Sequence, residues 1–260
     1  VSQFEVARTS AFSLDALHWA FMNPQILESG AKLTPFLLPA PAKIGILVVP
    51  GGGYSGLATG HEGRDIAAWL NARGYDAWML EYTTTSLSKA PLYPKPQNDA
   101  LQALRFIRAQ NRVQKLGIWG FSAGGHLAAT VVTNPETRDA KQKLDFAILA
   151  YPVISMEFGV THGGSRANLL GNAPDPALEK ALSAQNRVSL ETPPVFLFHT
   201  ADDNVVPVEN ALLFSHALAS HRVPFEVHVY ENGPHGVGLA PGDKILSTWS
   251  ARLEDWLQKR

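Results

Sequence analysis

Three short stretches of this 260-residue chain carry side chains suited to acyl transfer: Gly120-Phe121-Ser122-Ala123-Gly124, the pair Asp202-Asp203, and His235. A serine hydroxyl is a poor nucleophile at neutral pH. It needs an imidazole to take its proton, and the imidazole needs a carboxylate to fix its tautomer and stabilise the imidazolium. Glycines two before and two after Ser122 suit a strained strand-to-helix turn, where a larger side chain would strike neighbouring backbone. The order Ser, then Asp, then His is one of those in which such triads occur.

Each role has competitors. Of nine histidines, His235 stands out because Asn232-Gly233-Pro234-His235-Gly236 is a glycine- and proline-rich loop able to aim one side chain tightly. His126 falls one turn beyond Ser122 and is expected to pack inward, His216 and His221 fall on a helix, and His228 falls in a strand. Asp202 and Asp203 share one strand-end loop, so one can orient the imidazole while the other braces the turn; Asp202 is favoured.

A tetrahedral intermediate also needs N–H donors aimed at its oxyanion. The amide of Ala123 is one expected donor, and those of Gly52 and Gly53, in Pro50-Gly51-Gly52-Gly53-Tyr54, are the others. This glycine run lacks the Gly-Lys-Ser/Thr ending of a phosphate cradle and any convincing dinucleotide-binding pattern. Histidines and aspartates do not recur at metal-ligand spacings, and there is no His-Glu-x-x-His, so the reading calls for no metal and no cofactor.

To bring these residues together the chain must place strand ends side by side. Short runs dominated by apolar residues at 44–49, 76–82, 116–120, 146–150, 195–199 and 225–230 read as strands. Helical patterns fall between and after them, at 63–72, 98–111, 123–133, 208–220 and near 243–258. This alternation predicts an α/β fold with a mostly parallel sheet flanked by helices. Ala100, Leu101, Leu104 and Ile107, and likewise Leu212, Leu213, Ala217 and Leu218, fall at helical spacing and are expected against that sheet. The first forty or so residues are expected to add antiparallel edge strands, with 12–21 open to a short helix. The proline- and glycine-punctuated stretch 151–194 is too long for a plain connection and is expected to form a small cap within a single domain of residues 1–260.

Composition narrows the partners. A net charge of −1 with both signs interspersed gives no footprint for nucleic acid or for an anionic membrane, so a small neutral substrate fits better. Cysteine is absent, which removes disulfides and thiolate chemistry. No apolar run approaches membrane-spanning length and no secretory-signal pattern opens the chain. A soluble protein is expected, cytoplasmic or exported after loss of a leader, with its oligomeric state open.

With these motifs in place, the chain resembles the α/β-hydrolase esterases, and among them the small acetylxylan esterase-like carbohydrate esterases. The resemblance covers most of residues 44–256. It rests on Pro50-Gly-Gly-Gly-Tyr54, His61-Glu-Gly63, Gly120-Phe-Ser-Ala-Gly-Gly-His-Leu-Ala128, Thr192-Pro-Pro194, His199-Thr-Ala-Asp-Asp-Asn-Val-Val-Pro207 and Gly233-Pro-His-Gly236. It implies Ser122 as nucleophile, His235 as base and an acetylated saccharide as substrate. The acid loop is also similar to that of prolyl oligopeptidase-type enzymes, whose first aspartate of the pair is the triad member, which favours Asp202. Pro50 stands where lipolytic relatives usually carry histidine, which argues against a hormone-sensitive-lipase type.

The same resemblance would put Tyr54, His61 and Glu62 near the mouth of the site, on a sugar or ordering the loop, although helix entry also explains the latter two. Trp119 and Phe121 are expected in the core on either side of the sheet. The leading reading is a serine esterase releasing a short acyl group, acetate foremost, from an esterified plant-type saccharide. The runner-up is a serine peptidase of prolyl oligopeptidase type, disfavoured for want of room for an accessory domain. A non-catalytic hydrolase fold that binds a ligand or partner is the third.

Overall fold

A computed structural model describes residues 23–260. The expectation of a helix at 12–21 lies outside the described residues. Eight strands form one sheet: β1 (Gln25–Ile26), β2 (Lys32–Phe36), β3 (Ile44–Val49), β4 (Asp76–Glu81), β5 (Lys115–Phe121), β6 (Phe146–Ala150), β7 (Val195–Thr200) and β8 (Phe225–Tyr230). Their order is β1-β2-β4-β3-β5-β6-β7-β8. β1 pairs with β2 and β2 with β4 antiparallel, and the neighbours from β4 to β8 all run parallel.

The interior strands read as near-continuous apolar runs because both faces of the sheet are covered. Alternation with period two sends Leu47, Val49, Leu116, Ile118 and Leu149 into one core layer, and Ile46, Val48, Trp119, Phe121 and Ile148 into the other. Helices α2 (Lys95–Ala109), α3 (Ser122–Val132) and α6 (Glu209–Ser220) cover the first layer, and α1 (Asp65–Asn71) and α7 (Thr248–Leu257) the second. Trp119 and Phe121 do not divide between the faces. They lie two apart on β5, share a face, and stack with centroids 5.3 Å apart.

Helix α2 follows its pattern, with Ala100, Leu101, Ala103, Leu104 and Ile107 buried. In α6 the expectation is half met. Leu218 is buried, but Leu212 and Leu213 are 50% and 38% exposed, because the inward face runs through Ala211, Phe214, Ser215 and Leu218.

Between β6 and β7 the stretch 151–194 carries α4 (Gly163–Leu170), α5 (Pro176–Leu182) and a short 3-10 turn at Ala184–Arg187. The backbone amides of Leu92 and Tyr93 donate to Asn168 and Leu169 of α4, and the side chain of Asn168 donates to the Gly53 carbonyl at 2.8 Å. The chain passes from β3 to β4 on one side and then to β5 on the other side of β3. A crevice at the carboxyl ends of β3 and β5 follows from that reversal, and such switch points are where open α/β sheets bind ligands.

Candidate active site

The loops at the carboxyl ends of β3, β5, β6, β7 and β8 each bring one part to this crevice. Strand β5 runs directly into α3 at Ser122, whose φ of 51° is left-handed and costs a non-glycine residue roughly 1–3 kcal/mol. Glycines permit the turn. A Cβ on Gly124 would overlap the carbonyl oxygens of Val49 and Pro50, and one on Gly120 would overlap the Gly124 carbonyl, so the elbow closes against β3 only when both are bare.

His235 Nε2 lies 2.8 Å from Ser122 Oγ, and His235 Nδ1 lies 2.7 Å from a carboxylate oxygen. That carboxylate belongs to Asp203, not to the expected Asp202. The side chain of Asp203 is fully buried, and its second oxygen accepts the amides of Val205 and Val206, each at 2.9 Å. Asp202 is exposed and accepts the Gly233 amide at 2.7 Å, tying the β7 loop to the loop that carries His235. The tight turn after β7 points the second aspartate inward and the first outward, and adjacency in sequence gives no sign of which is which. Burial opposes ionisation of Asp203. The hydrogen bonds from His199 and His235 and from the Val206 and Val205 amides outweigh it and hold the carboxyl below the usual carboxylate range.

On the other side of Ser122, Gly52 and Gly53 adopt positive φ of 134° and 63°. Among the described residues neither amide donates to a protein acceptor. Ala123 sits in the first turn of α3, where N–H groups have no intrahelical partner. The neighbouring amide, Gly51, is taken: it donates to Glu62 Oε2 at 2.8 Å.

Two of the three residues expected at the mouth lie in the interior. Tyr54 is fully buried, and its hydroxyl meets His126 Nδ1 at 2.8 Å. His126 Nε2 in turn donates to the Leu182 carbonyl at 2.8 Å, so this histidine joins the glycine loop, the elbow helix and the end of α5. Burial above all lowers its pKa to about 4, which keeps it neutral. Glu62 is buried too. Its Oε1 accepts the Tyr151 hydroxyl at 2.8 Å, and that hydroxyl accepts the Gly238 amide at 2.9 Å. Burial first, then the Glu62 charge, raises the Tyr151 phenol well above its ordinary range, so it remains a donor. His61 alone stays at the surface, its side chain 54% exposed and Nε2 3.7 Å from Glu62 Oε1.

Sequence reasoning passed over Tyr151 and His162. Tyr151, directly after β6, sets its ring edge-on to the His235 imidazole at a centroid distance of 5.0 Å. Its position at a strand end was the only available signal. His162 caps α4, and the Cε1 edge of its ring lies 3.6 Å from where a Cβ on Gly53 would stand. The pair of glycines that follows it marks a helix start and gives no hint of that approach.

A mostly parallel sheet with a serine on a strand-to-helix elbow, a histidine after the last strand and a buried aspartate after the preceding one defines an α/β-hydrolase. The chain belongs to the prolyl oligopeptidase family, whose model matches residues 65–260. It is 38% identical over 218 residues to endo-1,4-beta-xylanase B of Butyrivibrio fibrisolvens, covering 79% of this chain and 34% of that protein. It is 34% identical over 240 residues to the acetylxylan esterase of Xylanibacter ruminicola, covering 89% of this chain and 48% of the relative. The chain therefore spans half or less of the length of these relatives. Among solved structures, an acetyl ester-xyloside bifunctional hydrolase from Caldicellulosiruptor lactoaceticus superposes with a TM-score of 0.78 at 39% identity, covering 88% of each chain. Among the described residues no helix is long and apolar enough to cross a membrane.

Proposed function

We propose that this chain is a serine carboxylic-ester hydrolase that removes acetyl groups from acetylated xylan or xylo-oligosaccharides through an acyl-enzyme on Ser122. The observation that carries the reading is the unbroken hydrogen-bonded series from Ser122 Oγ through His235 to Asp203, beside a glycine loop in which two amides have no acceptor among the described residues. Its similarity to an acetylxylan esterase and to an acetyl ester-xyloside bifunctional hydrolase supports the substrate class.

Ser122 Oγ attacks the acetyl carbonyl carbon while His235 Nε2 takes the hydroxyl proton. The Gly52, Gly53 and Ala123 amides receive the charge that develops on the carbonyl oxygen. Asp203 holds Nδ1–H and stabilises the imidazolium. As the tetrahedral species collapses, His235 returns the proton to the departing sugar oxygen, leaving acetyl-Ser122. Water then repeats the sequence with His235 as base, and acetate leaves. Stretch 151–194 acts as the cap over the crevice, and none of these steps calls for a group beyond side chains, backbone amides and water.

The test is acetate release from acetylated xylo-oligosaccharides, pectin fragments and aryl acetates by the wild type and Ser122→Ala. The wild type is expected to turn over the xylo-oligosaccharides, with the variant slower by about 10⁴-fold or more and chelators without effect. A wild type that leaves the acetylated xylo-oligosaccharides intact sinks the substrate assignment, and an active Ser122→Ala sinks the mechanism.

A further inference from the structure

At the N-terminus of α4, beside the glycine loop, the capping side chain has a polar atom that the triad does not use. We propose that His162 is a specificity-determining residue whose Nε2–H donates to a hydroxyl of the sugar that carries the scissile acetate; this rests on the esterase reading above.

The direction of the donor follows from the hydrogen bonds. His162 Nδ1 lies 3.3 Å from the Ser165 amide, which can only donate, and 2.8 Å from Ser165 Oγ. Nδ1 is thus an acceptor, and in the neutral ring the proton must sit on Nε2. Burial first, and then the neighbouring charge of His235, lowers the pKa of His162 against the opposing pull of Asp203, so the neutral form is favoured. Among the described residues Nε2 has no hydrogen-bond partner.

The placement follows from the approach of the ring to the glycine loop. The ring edge approaches Gly53, whose carbonyl accepts the Asn168 side chain of α4 at 2.8 Å, so α4 is tied to the glycine loop. The ring is also half-buried, so it stands beside the glycine loop with part of its edge still open to solvent. An N–H donor there would be left unpaired against an acetyl methyl, which costs more than it gains. It pairs without penalty against the alcohol side of the ester, where a saccharide presents hydroxyls next to the acetylated position. Rejection of substrates lacking such a partner is how polar sites discriminate.

The experiment compares kcat/KM for acetylated xylo-oligosaccharides and for p-nitrophenyl acetate, an ester of the same acyl group whose leaving group has no sugar hydroxyls. Wild type, His162→Ala and His162→Gln are measured together with inhibition of the aryl acetate reaction by xylotriose. In His162→Ala the saccharide kcat/KM is expected to fall about tenfold, and xylotriose inhibition to weaken in step, with aryl acetate turnover within about twofold of wild type. His162→Gln, which restores an N–H donor of similar reach, is expected to recover part of the loss. Equal losses on both substrates mean that His162 only caps α4 and overturn the proposal, as does an unchanged ratio. If the wild type turns over the aryl acetate alone, the substrate assignment falls and the sugar contact with it.

Discussion

Tyr151 donates its hydroxyl to Glu62 at 2.8 Å and with the same oxygen accepts the amide of Gly238 at 2.9 Å. Glu62 accepts the amide of Gly51 with its other oxygen. One buried carboxylate thus links the glycine loop after β3, the residue after β6 and the loop that carries His235. The glycine loop and the loop that carries His235 are held in register through it, and the Gly51 amide is occupied while those of Gly52 and Gly53 have no acceptor among the described residues.

Glu62→Gln tests that link. The amide has one acceptor oxygen where the carboxylate has two, so either the Gly51 amide or the Tyr151 hydroxyl meets an NH₂ group. A buried unsatisfied donor costs about 1–3 kcal/mol. We expect a lower melting temperature and a fall in kcat of about 10- to 100-fold with KM little changed, because the misplaced donors act on the transition state. A variant with wild-type kcat per titratable Ser122 would show that the carboxylate only supports the fold.

The two aspartates separate cleanly by their partners. Asp203→Asn leaves His235 Nδ1 beside a side chain that no longer carries charge, and kcat should fall by about 10⁴-fold. Asp202→Ala removes one hydrogen bond to Gly233 at the surface and should cost about tenfold or less, with a modest loss of stability. Steady-state rates on an aryl acetate decide it, and the reverse ranking would restore Asp202 as the triad acid.

His126 makes stability depend on pH. Its folded pKa of about 4 lies below the ordinary histidine value of 6.5, so the fold prefers the neutral ring. The stabilisation is fully present above pH 6.5 and is lost as the pH falls from there toward 4, a loss on the order of 3 kcal/mol. Asp203 acts at lower pH. Its pKa is depressed, so its contribution is present above the usual carboxylate range and fades only as acid protonates it. Denaturant unfolding of the wild type should weaken between pH 7 and 4.5, while His126→Gln should be less stable at pH 7.5 and show a flatter slope across that interval. Parallel slopes would assign the acid sensitivity elsewhere.

The sequence by itself determined the frame: which runs become buried strands, that they pair mostly in parallel, and that Ser122 stands on a turn between a strand and a helix flanked by Gly120 and Gly124. These features are local, because hydrophobic period and glycine spacing act over a few residues. The placement of His235 in a glycine-rich loop after the last strand was legible for the same reason. What only the tertiary structure decided depends on residues far apart in the chain. The inward turn of Asp203 rather than Asp202 follows from Val205 and Val206 closing on it and from His235, 32 positions away, meeting it. Tyr54 and Glu62, expected at the mouth, are drawn inside because His126, Gly51 and Tyr151 satisfy their polar atoms there. A polar side chain looks alike in sequence whether its partner is water or a buried atom, and only the assembled sheet ends supply that partner.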